Sequence, residues 1–64
     1  MDKYIVTVFD EAKEGTIIIE RKGFNNVKEA DKYACDMSMN YDWAELEYVE
    51  EGYTEAYMYG REVL

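Results

Sequence analysis

Four short stretches of the chain have the hydrophobic patterns of β-strands, and each is predicted to form one. The stretches at residues 3–10 and 16–22 are rich in β-branched and aromatic residues, which favour strands. The stretches at residues 42–49 and 53–61 alternate more strictly. Because successive side chains point to opposite faces of a strand, this alternation gives each of the last two strands one face that can be buried.

A turn that ends in glycine joins the two strands of each pair. Residues 12–15 (AKEG) and 50–52 (EEG) both offer a glycine for the left-handed position of a type I turn followed by a bulge. Such a turn sets the residues that lie opposite each other in each hairpin. The predicted pairs are Val49 with Tyr53, Val8 with Glu20, and Phe9 with Ile19.

Between the two pairs lies a segment with the 3.6-residue period of an amphipathic helix. Asn26 can cap its start, with Glu29 three residues later as in a capping box. Asn40 can end the helix in a left-handed conformation. One side of the helix is largely apolar and is expected to be buried: Val27, Ala30, Ala34, Met37 and Tyr41.

The order of the elements is therefore ββαββ, which predicts an α+β fold. Two β-hairpins can form one four-stranded, mostly antiparallel sheet, with the single α-helix packed on one face. The 64 residues suit one domain, spanning 1–64, and no proline or low-complexity segment interrupts them. The strand order stays open, because either edge of the first hairpin could meet the second.

The sheet face away from the helix is the predicted protein-interaction surface. The three-residue second turn places seven residues on it: Trp43, Glu45, Glu47, Tyr53, Glu55, Tyr57 and Tyr59. Glu47 directly opposite Glu55 would destabilise the hairpin by roughly a few tenths of a kcal/mol, and clustered exposed aromatics are typical of interfaces. The alternative is an ordinary solvated face, since antiparallel sheets commonly expose one side to water.

The first hairpin is apolar on both faces, so which face is buried is harder to predict. Its turn favours a core made of Ile5, Phe9, Ile17 and Ile19. The outer surface would then be extended by Tyr4, Val6, Val8 and Ile18. A monomer would leave a large apolar area exposed to water, which favours self-association as a homodimer.

Composition excludes several classes of partner and compartment. Fifteen Asp or Glu residues against seven Lys or Arg give a net charge of −8, which repels nucleic acids and anionic membranes. The aliphatic run at residues 17–19 is far too short to span a membrane, and no signal peptide is evident. A single cysteine excludes disulfides within the chain, and its free thiol fits a reducing compartment, so we expect a cytoplasmic location.

The residues required by common catalytic and metal sites are missing. The chain has no histidine, so neither a Ser-His nor a Cys-His pair can form. Cys35 lies beside the apolar side of the helix and is expected to be packed and inert. One thiol cannot complete a zinc site, and the carboxylates do not have the spacing of a calcium-binding loop. We therefore expect no enzyme activity, no cofactor and no metal.

Two functions fit these features. The first is a protein-binding module that forms a homodimer through the outer sheet face and binds a protein that the sequence does not identify. The second is an acidic inhibitor that presents carboxylates where a nucleic-acid-binding protein expects phosphates. Glu45 and Glu47 would lie about 6.6–6.8 Å apart along their strand, a spacing comparable with that of phosphates. In size and acidity, though in no motif, the chain is similar to phage and mobile-element decoys of DNA-binding enzymes.

Overall fold

A computed structural model describes residues 3–50 and 53–60 of the chain and confirms the predicted α+β fold. Its elements are β1 (Tyr4–Ala12), β2 (Gly15–Phe24), α1 (Val27–Asn40), β3 (Trp43–Glu50) and β4 (Tyr53–Tyr59). The four strands form one sheet in the order β2-β1-β3-β4, and every neighbouring pair is antiparallel. Within these ranges no helix has the length and apolar character needed to cross a membrane.

The core lies between α1 and the two central strands, β1 and β3. Six buried residues form it: Val6, Val8, Ala30, Ala34, Ala44 and Leu46. The two alanines of α1 carry only a methyl group, so the helix backbone can lie close to the sheet. Larger, partly buried side chains surround this centre: Tyr4, Phe24, Tyr33, Met37 and Tyr59.

The predicted core of the first hairpin was wrong, because the opposite face of β1 is buried. Val6 pairs with Leu46 across the β1–β3 ladder, and directly opposed residues share a face. Val6 and Val8 are therefore turned toward α1 and have no exposed surface. Ile5 and Phe9 are half-buried on the outer face, which is the sheet face away from α1. Both faces of β1 are equally apolar within the hairpin, so its pairing with β3 determines which face is buried against α1.

The first hairpin is shifted by one residue near its turn, because Ala12 pairs with Gly15, and a bulge in β2 restores the predicted register at Val8. Val8 pairs with Glu20 as predicted, but Phe9 pairs with Ile18 rather than Ile19. Ile19 is therefore the additional residue in β2, as in a β-bulge. The edge strand that contains it exposes three consecutive isoleucines, two of which had been predicted to be buried: Ile17, Ile18 and Ile19.

The β1–β2 hairpin extends beyond the rest of the sheet. β1 pairs with β3 only as far as Phe9, whereas it pairs with β2 as far as Ala12, opposite Gly15. Just past the last β1–β3 pair, the side chain of Asp42 bonds to the backbone of β1 where β3 no longer does. Its Oδ2 accepts a hydrogen bond from the backbone N–H of Glu11 at 2.6 Å. We call the part of the hairpin beyond Phe9 the hairpin arm.

The second hairpin is shifted by one residue from the predicted register. Glu50 pairs with Tyr53, so the connection has two residues rather than the predicted three. A shift of one residue moves every side chain of a strand to the opposite face. Tyr57 consequently lies opposite Leu46, and Tyr59 opposite Ala44, on the side of the sheet that faces α1. There the ring of Tyr59 packs against the core, next to small residues that leave room for it.

The helix begins as predicted and ends differently. The Asn26 side chain accepts hydrogen bonds from the backbone N–H groups of Lys28 at 2.8 Å and Glu29 at 3.3 Å, which confirms it as the N-cap. No described non-glycine residue has a positive φ, so Asn40 is not left-handed. Instead its side-chain amide donates to the carbonyl of Asp36 at 3.0 Å and pairs one of the last helical carbonyls.

β4 ends one residue before a glycine that lies against the helix. Gly60 has a φ of +87°, and a Cβ added to it would lie 2.8 Å from the Cβ of Ser38. Both the backbone conformation and the contact with α1 therefore require glycine at this position. The strand predicted over residues 53–61 stops at Tyr59 for this reason.

Candidate functional site

The structure does not bring the seven predicted interface residues together on one face. Trp43, Glu45 and Glu47 lie on the outer face, because their neighbours Ala44 and Leu46 face α1. The register places Glu55, Tyr57 and Tyr59 on the side that faces α1. Tyr53 pairs with Glu50, and its side chain lies outside the part that is described. The shared face was a wrong prediction, and a role of these residues in binding stays a prediction.

On the outer face, Trp43, one of the predicted interface residues, is covered by its neighbours. Trp43 is only 6% exposed and stacks on Phe9, with ring centroids 5.1 Å apart and planes at 15°. Arg21 reaches across β1 to Glu47, with its Nη2 3.9 Å from Oε1. An ion pair of this length with an exposed arginine contributes little to stability. The apolar surface left on this face belongs mainly to Ile18 and Met58.

A groove lined by tyrosines lies on the other side of the sheet, beside α1. The helix covers β1 and β3 and leaves much of β4 uncovered. The groove has a volume of about 390 Å³ and is open to solvent. Seven described residues line it: Tyr4, Val27, Leu46, Tyr48, Glu55, Tyr57 and Tyr59. We call it the tyrosine groove.

Each of three tyrosines of the groove donates its phenolic hydrogen to a carboxylate. Tyr48 donates to Glu50 at 2.6 Å, Tyr57 donates to Glu55, and Tyr59 donates to Asp31 of α1. All three acceptors are carboxylates, so a negatively charged group lies beside each of these phenols. The phenols thus hold negatively charged groups around an aromatic surface.

Four residues that line the groove were not predicted from the sequence as site residues: Tyr4, Val27, Leu46 and Tyr48. Alternation with the predicted outer residues puts Leu46 and Tyr48 on the face toward the helix, which is correct, but their partners across β4 are Tyr57 and Glu55. Had a two-residue connection at 51–52 been chosen, Tyr57 and Tyr59 would have fallen beside them. Glycine at the second loop position is compatible with such a hairpin. Val27 had been predicted to be buried and is instead half exposed.

The net charge is concentrated in the second half of the sequence. Residues 33–60 contain seven Asp or Glu and no Lys or Arg, whereas residues 1–32 contain seven Asp or Glu and six Lys or Arg. The strand order places β3 and β4 next to each other on one side of the sheet. A running count of charge along the sequence would have revealed this asymmetry, which the total of −8 conceals.

The described carboxylates and the thiol do not form a metal centre. No group of three potential ligands converges within residues 3–50 and 53–60. Cys35 is half-buried on α1. The groove and the carboxylates bonded to its tyrosines combine aromatic rings with negative charge.

Two tyrosine hydroxyls are held in their neutral form. Partial burial, followed by the hydrogen bond to Asp31 and the nearby negative charge, raises the pKa of Tyr59 from 10.0 to about 12. Partial burial and the Glu20 carboxylate, which accepts from the hydroxyl at 2.5 Å, raise the pKa of Tyr33 from 10.0 to about 12. Both phenols remain hydrogen-bond donors at neutral pH.

These shifts predict a loss of stability at alkaline pH. Between pH 10 and pH 12 the unfolded chain releases protons that the folded chain retains at Tyr33 and Tyr59. The unfolded state then binds fewer protons, so the free energy of unfolding falls as pH rises through this range. Urea unfolding across the range should show this slope, and Tyr33→Phe or Tyr59→Phe should each remove part of it. An unchanged slope in both variants would contradict the shifts.

No protein-family model, curated protein sequence or solved structure matches the chain.

Proposed function

We propose that this protein is a non-enzymatic protein-binding module whose β3–β4 half binds the basic surface of a partner protein. The observation that supports this is the charge of residues 42–60, which include β3 and β4 and contain six carboxylates and no basic residue. A surface with one sign of charge attracts a complementary partner and raises the rate of encounter.

The most suitable partner class is a nucleic-acid-binding protein. Such proteins present clustered Lys and Arg residues that neutralise phosphates. Carboxylates stand on both faces of the β3–β4 hairpin, with Glu45 and Glu47 on the outer face and Glu55 beside the tyrosine groove. By occupying the partner's basic surface, the module would compete with nucleic acid and act as an inhibitor.

The first experiment identifies the partner and tests the role of charge. The immobilised protein is incubated with lysate of the source cells at low and at high salt, and retained proteins are identified by mass spectrometry. Contacts between exposed charges are screened by salt, so a basic partner should be retained at low salt and released at high salt. Nucleic acid added at low salt should displace it. Retention that is indifferent to both salt and nucleic acid would overturn the proposal.

Glu50→Gln with Glu55→Gln should weaken binding to the identified partner by about tenfold at low salt, because close charge pairs at interfaces contribute strongly to affinity. Both substitutions remove charge while retaining nearly the same side-chain size. Asp10→Asn with Glu14→Gln is the matched control, since it removes the same charge from the hairpin arm. Isothermal titration calorimetry compares the two. Equal losses in both variants would show that only net charge matters.

A homodimer formed through the outer face is a second candidate, supported by the exposed side chains of Ile18 and Met58 there. Exposed apolar groups of this size commonly mark interfaces. Repulsion between two chains of charge −8 opposes such a dimer, and added salt should therefore strengthen it. Light scattering that gives the monomer mass of 7.6 kDa at every concentration and salt level would exclude it.

A further inference from the structure

We propose that the outer edge of β2 pairs with β2 of a second copy of the chain, so that two four-stranded sheets join into one continuous antiparallel sheet. This inference goes beyond the function proposed above, because β2 lies at the opposite side of the sheet from β4. Three features support it: a long edge without a neighbouring strand, an exposed apolar run, and a charge pattern that suits self-pairing.

β2 presents a long strand edge to solvent. Within the part of the chain that the structure describes, it is the longest strand, with ten residues, and it pairs only with β1. The backbone N–H and C=O groups on its other side form a template for an added strand. Every residue from 15 to 22 is exposed, so α1 does not cover this edge.

The apolar run lies within this edge. Ile17, Ile18 and Ile19 are 46%, 64% and 37% exposed. Antiparallel pairing about a two-fold axis at Ile18 places the run of one copy beside the run of the other. The bulge residue Ile19 of each copy then lies opposite Ile17 of the other copy. Such pairing removes apolar surface from water and adds cross-strand contacts between β-branched side chains, which stabilise sheets.

The distribution of charge favours this edge over the outer face for joining two copies. Residues 15–24 contain one Glu, one Arg and one Lys, a net charge of +1, whereas residues 42–60 contain six carboxylates and no basic residue. In the joined sheet the two β3 strands lie five strand spacings apart, about 24 Å. This separation exceeds the Debye length of roughly 8 Å at physiological salt. Packing through the outer faces would instead bring the two β3 strands to about 10 Å.

The charges on either side of the run are complementary between two copies. Glu14 lies four residues before Ile18, and Lys22 lies four residues after it. Antiparallel pairing about Ile18 therefore brings Glu14 of each copy near Lys22 of the other, once at each end of the paired segment. Opposite charges across neighbouring strands are favourable. Another protein would need a strand with this pattern, whereas a second copy of the chain already has it.

The first test measures amide hydrogen exchange of the full chain by NMR at low and at high protein concentration. Pairing of the edge should slow exchange in residues 16–20 as concentration rises, because amides that face water in the monomer become hydrogen-bonded. Analytical ultracentrifugation should show the mass increase from 7.6 kDa to twice that value over the same range. A monomer at every concentration, or a dimer without new protection in β2, would overturn the inference.

Ile17→Lys should weaken the dimer by at least about tenfold, because each dimer carries the substitution twice and loses apolar contact at both sites. Ile17 pairs with Asp10 and lies on the opposite side of β2 from Ile18, so it takes no part in packing through the outer face. Met58→Lys is the matched control, since Met58 is 52% exposed on the outer face of β4, away from the β2 edge.

The inference is supported if both variants are folded by circular dichroism and only Ile17→Lys weakens the dimer. If Met58→Lys weakened it as much or more, the association would belong to the outer face and the inference would be wrong. If Ile17→Lys failed to fold, the concentration dependence of exchange in the parent chain would still decide. Binding of a basic partner through β3 and β4 is measured separately, so the proposed function can stand or fail independently.

Discussion

Val6→Lys is expected to unfold the protein, whereas Ile18→Lys is expected to leave it folded. Val6 has no exposed surface and faces α1 in the centre of the core. No carboxylate belongs to this core cluster, so a lysine there would be either a buried unpaired charge or a neutral amine without hydrogen-bond partners. Either state costs several kcal/mol, while a domain of this size has about 3–5 kcal/mol of stability to lose.

The paired substitution at Ile18 tests the same assignment from the outside. Ile18 is 64% exposed on the edge strand, so a lysine can reach water without disturbing the core. Far-UV circular dichroism with urea titration measures both variants. A folded Val6→Lys variant with an unchanged unfolding midpoint would place Val6 on the outer face, as the sequence had suggested, and would refute the face assignment of β1.

Gly60→Ala is expected to lower the free energy of unfolding by about 1–3 kcal/mol. Two effects add at this position. The positive φ of +87° disfavours any residue with a Cβ, and that Cβ would lie 2.8 Å from the Cβ and 3.2 Å from the carbonyl oxygen of Ser38. To relieve the contact, α1 and the end of β4 would have to move apart, which would loosen the packing of Tyr59.

Gly15→Ala separates the two effects. Gly15 also has a positive φ, of +129°, but an added Cβ there has no atom within 4 Å. Its cost is the backbone cost alone, whereas Gly60→Ala adds the contact with Ser38 to its own backbone cost. Urea unfolding of both variants gives the comparison. A Gly60→Ala variant as stable as the parent chain would contradict both effects.

The helix and the number of strands could be predicted from the sequence because their signals are local. The 3.6-residue period and the Asn26 cap depend on neighbours along the chain, and the structure confirms both. The face of β1 was not predictable from its own residues, since Ile5 and Val6 are equally apolar. It is decided by the β1–β3 pairing, which joins residues far apart in the sequence.

Which residues share a face in the second hairpin depends on whether its loop has two or three residues. Glycine at position 52 fits either a three-residue loop or a two-residue loop, and the two differ by one step in register. That step moves Glu55, Tyr57 and Tyr59 from the outer face to the side of α1. Local turn chemistry does not distinguish the two loops. Packing of Tyr59 against the core favours the observed register, and that core is built from β1, α1 and β3.

The β1–β3 ladder also has a consequence for the folding kinetics of the chain. Each hairpin connects neighbouring strands by a short loop, but a lone hairpin is at best marginally stable. The ladder joins Phe9 to Trp43 and Tyr4 to Tyr48, so β2 and α1 must both be bridged before the core can form. Closing such a long loop loses chain entropy before any core contact compensates for it. The slow step of folding should therefore be the pairing of β1 with β3. Both hairpins form and unfold repeatedly before that step.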